Sequence, residues 1–161
     1  MAGLTAAVPR YARVLPTGLG AGQVAGRIGA GLDADDAERS GPPRYIALPH
    51  TEGCGVSGGN AEDLLRDAVV GYATHPLVKT CVFLEHGCEK THNDFFREAL
   101  DRRGRSAEDF GWASIQLQGG IDAVERHVRG LFPEAWSREP EPGSEERRVG
   151  RACRSRWSPY H

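Results

Sequence analysis

No apolar run in this chain approaches the roughly 20 residues that a helical membrane span requires, so no membrane partner is expected. The opening residues, MAGLTAAVPRYARVLPTG, lack a charged segment followed by an unbroken apolar core. A secretory signal is therefore not read, and the protein is expected in the cytoplasm. Cysteine is sparse, four residues in 161. In a reducing compartment Cys54, Cys81, Cys88 and Cys153 read as core, ligand or catalytic thiols, not as a disulfide framework. Strong positive charge is missing as well. The formal net charge is -2, and residues 144–161 hold five Arg against two Glu, which leaves the rest of the chain acidic. An acidic body gives no electrostatic footprint for nucleic acid, so no nucleic-acid partner is expected either. What is left, with 39% hydrophobic residues and a mean hydropathy of -0.47, is a globular chain long enough to bury one core.

Four apolar runs alternate with helix-like stretches. YARVLPT (11–17) reads as a short strand, and AGQVAGRIGAGL follows it with Val24, Ile28 and Leu32 at helical spacing. RYIALPH (44–50) is a second strand, and the next helix is expected to open at Asn60 as its N-cap and run through AEDLLRDAVVGYAT. KTCVFLEH (79–86) has the consecutive apolar residues of a central parallel strand, with Cys81 in the core. Thr91 and Asp94 suggest a capping box opening NDFFREALDRRG, which should end at Gly104. WASIQL (112–117) is the fourth strand, and GGIDAVERHVRGLF the last helix, with Ile121, Val124, Val128 and Leu131 on one face. Repeated β-α units predict an α/β fold: a Rossmann-like parallel sheet of about four strands with helices on both faces. The strand ends PTGLGAG, PHTEGCG, EHGCEKTHND and QLQGG then converge on one edge, where such sheets bind ligands.

The chemistry at that edge stays open on the residues alone. His50 and Cys54 offer imidazole and thiolate to a divalent metal, and Cys88 with His86 or His92 could complete the set. The alternative is that Cys54 and Cys88 are small buried thiols and His50 bonds a loop carbonyl. Gly53, Gly55 and Gly87 would let backbone approach an ion or substrate. Glu89 and His92 are candidates for acid–base work, against a plain helix-entry charge and a solvated first-turn imidazole. GLGAGQVAG matches a dinucleotide fingerprint at Gly20 and Gly22, yet the second strand ends at His50 where an acid should hold the ribose. A dehydrogenase is disfavoured, and an anion-binding turn remains. A cysteine hydrolase lacks a visible His–acid partner.

The last segment, SEERRVGRACRSRWSPYH, follows the linker SREPEPGSEE and resembles the translation of a sequencing adapter. Residues 136–161 are read as a disordered tail, non-native from about 144, and Cys153 and Trp157 receive no role.

At VLPT, H-x-x-G-C and G-C-E together, the chain resembles the second domain of the galactarate dehydratase and altronate hydrolase family, across roughly residues 8 to 135. The resemblance implies a metal-dependent hydro-lyase that dehydrates a sugar acid to a 2-keto-3-deoxy acid, with Fe2+ as the divalent metal and Mn2+ as a substitute. A related branch cleaves sulfite from sulfolactate. Carried over, His50, Cys54 and Cys88 would hold the metal, and Glu89 and His92 would handle protons. Thr17, Gly20, Gly22, Gly53 and Gly55 would line the substrate. The chain departs from the family pattern in having Gly20 where a Cys is frequent and His86 where an apolar residue is frequent. It departs again at Pro9 and Arg10, in place of Arg and Asn. The expected partners are the sugar acid, a further C-terminal domain of the same gene absent from this fragment, which is expected to be inactive without it, and copies of itself in a homo-oligomer. The competing expectation is a stand-alone, non-catalytic module that binds a metal or small ligand.

Overall fold

A computed structural model describes residues 11–36, 44–55 and 57–137. Of the expected tail, 136–161, residues 136 and 137 are described as the end of a helix, and the rest, with Cys153 and Trp157, lies outside the described residues, as do Pro9 and Arg10. Four strands and four helices follow one another: β1 (Tyr11–Pro16), α1 (Leu19–Asp35), β2 (Tyr45–Ala47), α2 (Gly59–Ala73), β3 (Val78–Glu85), α3 (Asn93–Asp101), β4 (Gly111–Ser114) and α4 (Ile121–Ser137). All neighbouring strands are parallel, in the order β2-β1-β3-β4. The expected α/β sheet is therefore present.

Strand alternation decides which helices share a face. Ala12 and Val14 of β1 and Val82 and Leu84 of β3 point to one side, where they meet Ile28 of α1 and Val124, Val128 and Phe132 of α4. Leu15, Cys81 and Phe83 point to the other, against Val69 and Val70 of α2 and Phe96 and Leu100 of α3. Both faces are thus covered, as a parallel sheet requires. Cys81 is core, 1% exposed, and burial pushes its thiol far above the ordinary range. No described helix is long and apolar enough to cross a membrane.

Some element ends differ from the sequence reading, each for a local reason. β2 keeps only three residues of the expected seven, because beyond Ala47 the chain turns to lay His50 and Glu52 against the end of β1. α2 is capped at Gly58 and not at Asn60, with the Glu62 carboxylate accepting the Gly58 N–H at 2.6 Å. α3 has no capping box. His92 is its N-cap, Thr91 donates elsewhere, and the Asn93 N–H is taken by buried Glu85 at 2.6 Å. On α4, Ile121 is 45% exposed, and Phe132 joins Val124 and Val128 in the core.

The order places β2 and β3 on opposite sides of β1. The chain leaving β1 turns toward β2, while the chain leaving β3 turns toward β4. The two connections diverge, so the carboxyl ends of β1 and β3 form the topological switch point, where such sheets take ligands.

Candidate metal and substrate site

Three loops meet at that switch point and are tied to one another by side chains. Thr17, just past β1, is fully buried; its hydroxyl donates to Glu89 Oε1 at 2.8 Å, and its carbonyl accepts from Thr91 Oγ1 at 3.0 Å. Glu89 is 5% exposed and holds its own loop together. Oε1 also accepts the His86 N–H at 2.8 Å, while Oε2 accepts Gly87 N–H at 2.7 Å and Cys88 N–H at 2.9 Å. Burial works to raise its carboxyl, but donation from backbone N–H groups and the Thr17 hydroxyl outweighs it and holds Glu89 below the ordinary carboxylate range. With two donors on each oxygen, Glu89 is a fixed anion.

The β2 loop is sewn on in the same way. His50 Nε2 lies 2.8 Å from the Pro16 carbonyl, and since a carbonyl only accepts, that nitrogen carries the hydrogen. Its Nδ1 is buried without a partner. The Glu52 carbonyl accepts the Leu19 N–H at 2.9 Å. Gly53, at φ +97°, presses on the turn after β1 so closely that a Cβ would come within 2.6 Å of Gly18 Cα. Only glycine satisfies both the left-handed backbone and that approach.

What these ties leave free is small. Cys54 and Cys88 are exposed, so they are not the buried thiols of the alternative reading, whereas His50 does bond a loop carbonyl. Cys88 Sγ lies 3.3 Å from His86 Nδ1. His86, Cys88 and Glu89 form the one group among the described residues whose ligand atoms lie within 4.8 Å of one another. His50 and Cys54 are outside it. The Cys88–His86 contact is a partner the sequence did not reveal for a thiol nucleophile. The loop's N–H groups at 86, 87 and 88 all point into Glu89, however, and none is left there to stabilise an oxyanion.

The remaining expected residues separate. His92 is exposed on a cavity of about 450 Å³ bounded by β3, β4 and α3, lined also by Glu85, Asn93 and Arg97. His50 lines a more apolar cavity of about 700 Å³ beside α2, with Leu48, Leu64 and Tyr72. Thr17, Gly22 and Gly53 are buried where the loops meet. Gly22 admits Pro49, and Gly20 admits the His86 ring, whose atoms would lie 3.4 Å from a Cβ there. Gly55 is open on all sides.

The fold is a doubly wound α/β domain, with the candidate residues on the loops at its switch point. One family model, described as D-galactarate dehydratase/Altronate hydrolase, second domain, matches residues 11–135, and the chain belongs to that family. No curated protein and no solved structure matches it.

Proposed function

We propose that this domain serves a metal-dependent hydro-lyase, which removes water from an altronate- or galactarate-type sugar acid to leave a 2-keto-3-deoxy acid. The observation that carries the reading is the contact between half-buried His86 and exposed Cys88, set at the switch point of a domain from this family. A nitrogen and a sulfur donor 3.3 Å apart on a rigid loop suit a borderline divalent ion such as Fe2+, with Mn2+ as a substitute. His86 and Cys88 would hold it, and Cys54, exposed on the neighbouring loop, is the further thiol available. When bound, such an ion would stabilise the charge that gathers on a carboxylate when the adjacent carbon loses its proton.

The chain's own residues divide the remaining work. Glu89, fully engaged and anionic, keeps the ligand loop in shape and has no proton to give. His92, exposed at the cavity mouth, is the group left to move a proton. Gly20 supports His86 as a ligand: the two departures from the family pattern touch, and the imidazole lies beside the place where a Cys side chain would start.

The chain by itself is expected to be inactive, so the test is a product assay on this domain joined to the further C-terminal domain, with Fe2+ or Mn2+, without oxygen, and with altronate, D-galactarate and sulfolactate offered in parallel. The reading expects a 2-keto-3-deoxy acid from one of the first two, lost in Cys88→Ala. Sulfite release would move the substrate to the related branch. Retained ion with no product from any substrate would favour the non-catalytic binding module.

A further inference from the structure

The cavity between β3, β4 and α3 shares Gly87 with the ligand loop but has a chemistry of its own. At about 450 Å³ it falls within the roughly 300–1,000 Å³ span of small-molecule pockets. Its inner wall accepts hydrogen bonds. Asn93 is 7% exposed; its Nδ2 donates to the Ala113 carbonyl at 3.0 Å, and its Oδ1 is buried with no partner. A buried acceptor left so costs about 1–3 kcal/mol, which points to a donor arriving from the cavity. Glu85, 8% exposed, already sits on the first N–H of α3. Its carboxylate therefore occupies the place where a helix N-terminus would otherwise draw an outside anion. The cation on the wall, Arg97, is paired with Asp94 at 2.7 Å and lies 4.5 Å over the Trp112 ring. The donors of the lining include Arg97, His92 and the amides of Gln116 and Gln118, but an anion reaching the Glu85–Asn93 wall would meet a carboxylate and an amide oxygen. A hydroxyl would donate to both.

We propose that this cavity is a hydroxyl-binding subsite that takes the polyol chain of a sugar acid, with Asn93 Oδ1 and Glu85 as acceptors and the Trp112 ring as an apolar wall. The identity of the ligand rests on the dehydratase reading; the preference for hydroxyl over carboxylate rests on the wall alone. Ser114, 3% exposed, adds a hydroxyl to the same wall.

The experiment is a ¹H–¹⁵N NMR titration of the full chain with three six-carbon probes: galactitol, D-galactarate, and adipate, which has the carboxylates without the hydroxyls. Galactitol and D-galactarate are expected to move the Asn93 Nδ2 and Trp112 Nε1 resonances, and adipate to leave them in place. Asn93→Ala should weaken galactitol binding about fivefold to tenfold, the loss of one neutral hydrogen bond. Ser114→Val, which narrows the cavity and spares Asn93, gives a second test if Asn93→Ala fails to fold. Adipate shifts as large as those of D-galactarate, or no shift with galactitol, would overturn the proposal. Galactitol binding here, with no sugar acid turned over when the further domain is joined to this one, would leave the subsite standing and remove the dehydratase reading.

Discussion

Replacing Glu89 with Gln asks whether a carboxylate is needed to hold the ligand loop. In the folded chain its two oxygens accept four bonds, of 2.7 to 2.9 Å, from Thr17, His86, Gly87 and Cys88. A Gln side chain has the same shape but turns one oxygen into an NH2 group, so two donors face a donor. Each buried donor left unpaired costs about 1–3 kcal/mol, and because the two share one loop the sum is taken as about 3 kcal/mol. With a urea dependence of about 1.5 kcal/mol per M, the midpoint should fall by about 2 M. Glu98→Gln is the control, since Glu98 is 70% exposed and pairs only with Arg102 one turn on. The sign of the pH dependence also follows. The folded carboxyl of Glu89 lies below its unfolded value, so its contribution is complete above the ordinary Glu range, near 4.3, and is lost as pH falls through the folded value. The gap between wild type and Glu89→Gln should therefore be flat from pH 8 to about 6 and narrow below about 4. A gap no larger than the control's, within about 0.5 kcal/mol, or one that ignores pH, would refute the reasoning.

Three further outcomes follow from the same frame. Gly53→Ala and Gly55→Ala both place a side chain at positive φ, at a shared cost of about 1–2 kcal/mol, but only Gly53 faces backbone within 2.7 Å. Chemical denaturation should find Gly53→Ala the more damaging of the pair, and equal losses would remove the close contact between the loops. Thr17→Val keeps the shape and deletes one bond to a carboxylate, so it should lose about 1.5–3 kcal/mol by the same measurement; a neutral result would take Thr17 out of the network. Alkylation of the folded chain, mapped by peptide mass spectrometry, should modify exposed Cys54 and Cys88 and spare Cys81 until urea unfolds it. Early modification of Cys81 would contradict its place in the core.

The sheet was legible because its signals are local. Cys81-Val82-Phe83-Leu84 is a run of apolar residues that only a strand covered on both faces accommodates, and Ile28, Val124 and Val128 mark helix faces by spacing alone. Strand convergence at one edge then follows from right-handed crossovers. The roles at the switch point were not legible. Glu89 reads as a catalytic acid or a helix-entry charge because its neighbours in sequence are a loop and a helix, whereas one of its partners, Thr17, is 72 residues away. The helix it was assigned to has its first N–H capped by Glu85 instead, a residue whose strand position gave no hint of that. His86 was visible as one of two imidazoles that could complete a metal set and as a departure from the family pattern. Its importance depends on a 3.3 Å contact to Cys88 and on the space Gly20 leaves, and both are properties of the folded chain. The motif residues therefore sort by burial: Thr17, Gly53 and Glu89 shape the loops, while Cys54, Cys88 and His92 stay in reach of solvent.

Anaerobic titration of the full chain with Co2+, followed by near-ultraviolet absorption, tests the proposed metal site on the loop after β3 most directly. The wild type should develop a thiolate-to-cobalt band that saturates at one ion. Cys88→Ala should lose the band and His86→Ala should weaken it, while Cys81→Ala keeps it. An undiminished band in Cys88→Ala would place the ion elsewhere and contradict the account.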